Sequence, residues 1–221
     1  MAHGVFITFE GSEGCGKSTQ VERLAKRLEY LGNPPLVTRE PGGTPIGETI
    51  RDLLKFAPEG TGMLPETEVL LFEASRSQLV REVIRPALAR GEVVIADRFF
   101  DSTTVYQGVA RRLDPGLIEQ LNEFAVGDCK PDVTFLLHLD AATARTRMLQ
   151  RVQSSDKLDR MEREPLEFYE RVCEAYRQLA AREPKRIVVV DGSQSADKID
   201  NEIWESICNR FPALANQSDM A

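Results

Sequence analysis

Apolar positions along the chain follow two periods. Continuous apolar runs at residues 5–9, 92–97, 133–140 and 186–191 read as buried strands, and Leu36-Val37-Thr38, just past Pro34-Pro35, reads as a shorter one. Between them the apolar residues recur at helical spacing. Val21, Leu24 and Leu28 give an amphipathic helix after the first strand, a second helix is expected over about 45–56, and Val69, Leu70, Leu79, Val83, Ile84 and Leu88 mark a long helix that Gly91 ends. Three of the apolar runs close on an acid, at Asp97, Asp140 and Asp191, which predicts a parallel sheet whose C-terminal edge carries the chemistry. The alternation of strand and helix predicts a three-layer α/β/α fold around a five-stranded parallel sheet. One domain over 1–221 is expected, with a frayed tail over about 212–221.

The turn between the first strand and its helix changes the picture most. Residues 11–18 read GSEGCGKS and fill every fixed position of G-x-x-x-x-G-K-[ST], in the required strand-loop-helix order. This is a phosphate-binding loop, so the expected fold is that of the P-loop nucleotide-binding proteins. Gly11, Gly14 and Gly16 allow positive φ and turn backbone N–H groups toward phosphate oxygens, where the helix N-terminus adds its field. The motif assigns Lys17 to the β- and γ-phosphates and the Ser18 hydroxyl to Mg²⁺; Ser12, Glu13, Cys15 and Thr19 complete the ATP-binding stretch. At the end of the 92–97 strand, Asp97-Arg98 sets a carboxylate by the metal and a guanidinium by the transferring group, an arrangement suited to small-molecule kinases. A GTPase is excluded by the lack of N-K-x-D and of any strand-terminal D-x-x-G.

Composition narrows the partners. The chain has 221 residues and a net charge of −7, which argues against a general nucleic-acid binder. No run of about 18 apolar residues exists and the N-terminus carries no signal-like segment, so no membrane span and a cytoplasmic location are expected. Cys15, Cys129, Cys173 and Cys208 are scattered without a C-x-x-C pair, which fits reduced thiols. Cys15 is either a reactive thiol beside Lys17 or a small filler between glycines. Residues 145–163 are rich in Arg and Lys around a polar SSDK stretch, the composition either of a mobile basic lid or of a solvated helix pair joined by a turn. Phosphoryl transfer must exclude water and neutralise charge, which favours the short helical lid.

TREPGGT at 38–44, LFEASR at 71–76, DRFFDSTTVYQG at 97–108 and KLDRME at 157–162 then follow the loop in order. With these the chain resembles the bacterial thymidylate kinases over about 5–191. The resemblance implies phosphoryl transfer from ATP to dTMP. It implies that Phe72 stacks on the thymine ring, that Arg76 bonds a base carbonyl, and that Thr103 and Gln107 meet the pyrimidine edge. Tyr106 crowds the sugar 2′ position, Arg51 and Arg98 clamp the acceptor phosphate, and Glu40 and Glu13 lie beside the acceptor. Read from the residues alone, Phe72 and Tyr106 are ordinary core aromatics. Some family members carry an arginine within the phosphate loop; here the loop holds Glu13, Gly14 and Cys15, so the resemblance implies a cation supplied by the lid. Arg147, Arg151, Lys157 and Arg160 are the candidates, with Arg151 and Lys157 foremost for catalysis and Arg147 also beside the adenine. Lys157 stands where many relatives have arginine, and Glu73 where they have a small residue. A homodimer is also implied. A nucleoside monophosphate kinase with another base preference, or a nucleotide-binding module without catalysis, are the competing readings.

Overall fold

The structure, a computed structural model, describes residues 4–60, 62–154 and 158–215, the side chains of 151–154 excepted. Five strands, β1 (Val5–Glu10), β2 (Leu36–Arg39), β3 (Val93–Asp97), β4 (Val133–His138) and β5 (Ile187–Asp191), form one sheet in the order β2-β3-β1-β4-β5. All pairings are parallel, with Ile7 opposite Ile95 in β3 and opposite Val133 in β4. The expected three-layer P-loop α/β/α architecture is therefore present. Alternation along β1 explains the layers. Ile7 and Phe9 point into a core shared with Leu24 and Leu28 of α1 (Lys17–Tyr30) and Ile203 and Ile207 of α9 (Ala196–Arg210). Phe6 points the other way, onto Leu79 and Ile84. A third cluster joins Leu136 to Phe168, Val172 and Tyr176 of α8 (Leu166–Arg182). Such fully buried residues each stabilise the fold by about 1.5–3 kcal/mol.

The remaining helices position the site. The EPGG turn leads into α2 (Pro45–Lys55), where the Thr44 hydroxyl accepts from Gly47 N at 3.0 Å and the Glu48 carboxylate from Gly43 N at 2.8 Å, closing the helix N-terminus. The predicted long helix is α3 (Pro65–Leu79), a π-helical turn (Val80–Ile84) and α4 (Arg85–Ala89) in succession. Pro86 lacks the N–H for a regular i−4 bond, consistent with the widened turn before it. After β3 come α5 (Phe100–Thr103), a π-helical stretch (Thr104–Ala110) and α6 (Pro115–Val126), then α7 (Ala141–Ser154) after β4.

Two expectations need correcting, and a third, the helical lid, is only partly covered by the described residues. Asp140 lies beyond β4, and its carboxylate accepts from Thr143 N at 2.9 Å as the cap of α7, so it takes no part in the chemistry of the sheet edge. The first half of the expected lid, to residue 154, continues α7 as a helix; residues 155–157, with Lys157, lie outside the described residues. The chain past Phe211 is not frayed at once: Pro212–Leu214 forms a 3₁₀ turn because Leu214 packs into the α1/α9 core and its carbonyl accepts from Asn33. Among the described residues no helix is long and apolar enough to cross a membrane.

Candidate active site

The loop from β1 to α1 carries the first half of the site. Gly11 has φ 136° and Gly14 φ 77°, and a Cβ at either would come within 2.5 Å of the Leu137 or Ala144 carbonyl, so both conformation and space require glycine. Lys17 is buried and folds back over its own loop, donating to Gly11 O at 3.1 Å and Ser12 O at 2.8 Å. Ser18 Oγ donates to Asp97 Oδ2 at 2.6 Å. A hydroxyl and a carboxylate side by side are hard oxygen donors that suit Mg²⁺, which keeps much of its shell as water and phosphate oxygen. Among the described residues no cluster of three or more His, Cys, Asp or Glu exists that would hold a metal on protein ligands alone. Arg147 Nη1 donates to Gly192 O at 2.8 Å, which ties α7 to the turn after β5. Cys15 is buried, its Sγ 3.6 Å from Lys17 Nζ.

Arg98 joins this half to the next. It adopts φ 73° without being glycine, a strained conformation that its surroundings secure. Its backbone N–H donates to Phe9 O at 2.9 Å, while the Glu10 carboxylate accepts from Phe99 N at 2.8 Å and from Ser102 N at 3.2 Å, the latter shared with Phe99 O. The turn aims the guanidinium at Glu13, with Nη2 2.6 Å from Oε1, and Nη1 donates to Gly11 O at 2.9 Å. Tyr106 Oη donates to the other Glu13 oxygen at 2.6 Å. Burial opposes charge on Glu13, but Arg98, Lys17 and the Tyr106 hydroxyl outweigh it and hold its carboxyl at about 2.

A cleft of about 800 Å³ runs from the phosphate loop to α2. Gly14, Gly16, Lys17, Ser18, Thr19, Asp97 and Arg147 line it on the phosphate-loop side, and Glu13, Glu40, Arg51 and Arg98 complete its lining toward α2. A smaller cavity of about 40 Å³ opens beyond Arg98, walled by Phe72, Thr103, Tyr106, Gln107 and Met161, and Glu13 and Glu40 border both spaces. Gly11, Ser12 and Cys15 support the loop from behind without lining the cleft. The Arg151 side chain and Lys157 lie outside the described residues.

Arg76 departs from expectation. Phe72 and Arg76 are four residues apart on α3, a spacing that lets both side chains face one pocket, yet only Phe72 lines the cavity. Arg76 is 1 % exposed and fully engaged: Nε donates to Glu40 Oε2 at 2.8 Å, and Nη1 reaches the Glu73 carboxylate and Thr103 Oγ1. The physical reason is Glu73, one turn back on α3, which draws the guanidinium into the wall. Burial raises the Glu40 carboxyl to about 7, against the pull of Arg76 and with Glu73 and Glu10 adding to the rise. Arg160 is likewise committed elsewhere, ion-paired to Glu68 at 2.6 Å and donating to Leu54 O at 2.8 Å.

Four residues were not anticipated. Lys55, one turn past Arg51 on α2, faces the cleft and pairs with Asp159 at 2.7 Å. Its i+4 spacing from Arg51 was the available signal. Arg39, Met161 and Glu68 also belong to the site or its wall. Glu68, Phe72 and Arg76 fall four apart on one stripe of α3, so Glu68 was open to the same reasoning as the other two.

The family model described as "Thymidylate kinase" matches residues 9–203. The thymidylate kinase of Geobacter sulfurreducens is 47% identical over 211 residues, covering 95% of this chain and 99% of its own, and that of Syntrophotalea carbinolica is 45% identical over 206 residues, covering 92% and 95%. The crystal structure of thymidylate kinase from Ehrlichia chaffeensis superimposes with a TM-score of 0.74 at 33% identity, covering 93% of this chain and 98% of its own. With a family match across most of its length and relatives aligned along nearly all of it, the chain belongs to the thymidylate kinase family.

Proposed function

We propose that the chain transfers the γ-phosphoryl of ATP to dTMP, giving dTDP and ADP, with the phosphate loop as donor site and the Phe72 cavity as acceptor site. The observation that carries this reading is the placement of the aromatic-walled cavity next to Arg98 and Glu13, at the acceptor end of the cleft. Lys17 leaves its loop carbonyls for the β- and γ-phosphates when ATP fills the loop. Arg51 and Arg98 hold the acceptor phosphate, Arg98 being fixed by Glu13 and the Glu10-braced turn. Phe72 covers one face of the base, and Tyr106, pinned to Glu13, lies against the sugar. Ser18, and Asp97 through water, would hold Mg²⁺, which would neutralise phosphate charge during transfer. An acceptor phosphate oxygen is already nucleophilic, so positioning and positive charge suffice without a general base.

The lid cation is proposed to come from Arg151 or Lys157, because Arg160 is already spent on Glu68 and Arg147 on Gly192. The protein is proposed to act in the cytoplasm as a homodimer, the exposed Leu70 of α3 and Phe124 of α6 offering apolar surface for a second copy. ADP release measured with dTMP, dUMP, dCMP, AMP and GMP as acceptors tests the reaction. The account expects dTMP to have the highest kcat/KM; equal turnover of AMP and dTMP would overturn the base-pocket reading, and no turnover of any acceptor would favour a binding module.

A further inference from the structure

Gln107 is 2 % exposed and lines the small cavity, yet only its amide nitrogen has a protein partner: Nε2 donates to Glu68 Oε1 at 2.7 Å. The carbonyl oxygen Oε1 receives no hydrogen bond from any described residue. A carboxylate only accepts, so a side-chain amide facing one must turn its NH₂ toward it and its C=O away. Glu68 is itself fixed. It is 1 % exposed, Arg111 reaches it through Nε and Nη2 at 3.2 Å each, and Arg160 pairs with Oε2 at 2.6 Å. Burial opposes its ionisation, but Arg111, the Gln107 amide and Arg160 outweigh that and keep the carboxyl below its ordinary range.

We infer that Glu68 is a positioning residue for base selection: it locks the Gln107 amide so that the cavity presents a carbonyl acceptor, which a ligand ring N–H must satisfy. The N3–H of thymine or uracil does so. The N3 of cytosine carries a lone pair and meets the Gln107 carbonyl acceptor to acceptor, which leaves two buried polar atoms unpaired. The inference rests on the proposed reading of the cavity as the base site. It gives the polar wall a stated hydrogen-bond sense, set by a residue that touches no substrate.

The test uses the full chain with ATP and compares kcat/KM for dTMP and dCMP. In Glu68→Gln, the new amide keeps its oxygen toward Arg160 and Arg111 Nη2 and turns its NH₂ toward Gln107, at the cost of the Arg111 Nε bond; Gln107 must then rotate and offer its own NH₂ to the cavity. The dTMP-to-dCMP ratio is expected to fall about 10- to 100-fold, mainly through KM, with kcat at saturating dTMP changed by less than about threefold. The exchange variant Glu68→Gln/Gln107→Glu keeps charge and volume, presents carboxylate oxygen to the cavity, and is expected to restore the ratio to within about threefold of the parent. It also tests the inference should the single variant fail to fold. Equal losses for both acceptors in the single variant, or no restoration of the ratio in the exchange variant, would overturn it. A parent chain that turns over dCMP as well as dTMP would instead show that the base-site reading has failed.

Discussion

The phosphate loop places its groups with backbone: glycines at positive φ, amides at the start of α1, and one lysine resting on the loop's own carbonyls. The acceptor pocket places its groups with side chains from α3, α5 and the π-helical stretch after it, its polar groups fixed directly or through a neighbour by buried carboxylates from elsewhere. Glu10 braces the turn that aims Arg98, Glu13 grips Arg98 and Tyr106, Glu40 and Glu73 hold Arg76, and Glu68 holds Gln107. The difference teaches where each half is vulnerable. A backbone cradle depends on a few glycines and survives most side-chain changes around it. A side-chain pocket loses its geometry when a brace is removed, even one that never meets the ligand.

Removing the single side chain on which the donor half depends should have the largest effect. Lys17→Ala is expected to lower kcat by about 10³ or more while dTMP binding measured without ATP stays within about threefold, since Lys17 lines the cleft but not the smaller cavity behind Arg98. A parallel loss of dTMP affinity would mean that the two halves are not separable. Arg98→Ala strikes the junction, stranding Glu13 with one partner fewer, and should reduce kcat/KM by about 10²–10³ and lower the melting temperature together. Phe72→Ala affects the pocket alone and should raise KM for dTMP about tenfold or more, with the KM for ATP unchanged.

The smallest expected effect concerns pH. Glu40, raised to about 7 in the fold, keeps a proton there that the unfolded chain releases near 4.5. Its contribution to stability is therefore present below about 4.5 and lost as pH rises toward 7. Glu13, lowered to about 2, has the opposite sign: it stabilises above about 4.5 and is lost as pH falls. Denaturant unfolding of the parent chain and of Glu40→Gln at pH 5 and pH 8 separates the two. The parent should lose about 1–3 kcal/mol more than the variant over that interval. Identical slopes would show that burial of Glu40 does not set its proton.

What could be read from the sequence follows the same division. GSEGCGKS is contiguous, so eight residues revealed the donor half, and apolar runs placed the strands: β1, β3 and β4 as nearly unbroken runs because they are buried on both faces, the edge strands β2 and β5 as shorter runs although Val37 and Val189 are exposed. The pocket residues Phe72, Thr103, Tyr106 and Gln107 were found through motifs, and the structure gathers them around one cavity. Of the braces, Glu13 and Glu40 were read from the motifs, whereas Glu10, Glu68 and the bracing role of Glu73 were not. The i+4 stripe could place Glu68 on the pocket face of α3, but not its burial or its pairing, because the partners Arg111 and Arg160 are distant in the chain. The sequence placed Arg76 on the same face of α3 as Phe72, but not its ion pairs: Glu73 lies three residues away on the same helix, whereas Glu40 reaches it from the turn after β2, a contact that only the fold creates.

The reaction itself is tested most directly by identifying its product. A ³¹P NMR spectrum of the chain with ATP, Mg²⁺ and dTMP should show the dTMP resonance replaced by the paired resonances of dTDP, in step with conversion of ATP to ADP. ADP accumulating with inorganic phosphate and unchanged dTMP would contradict the account.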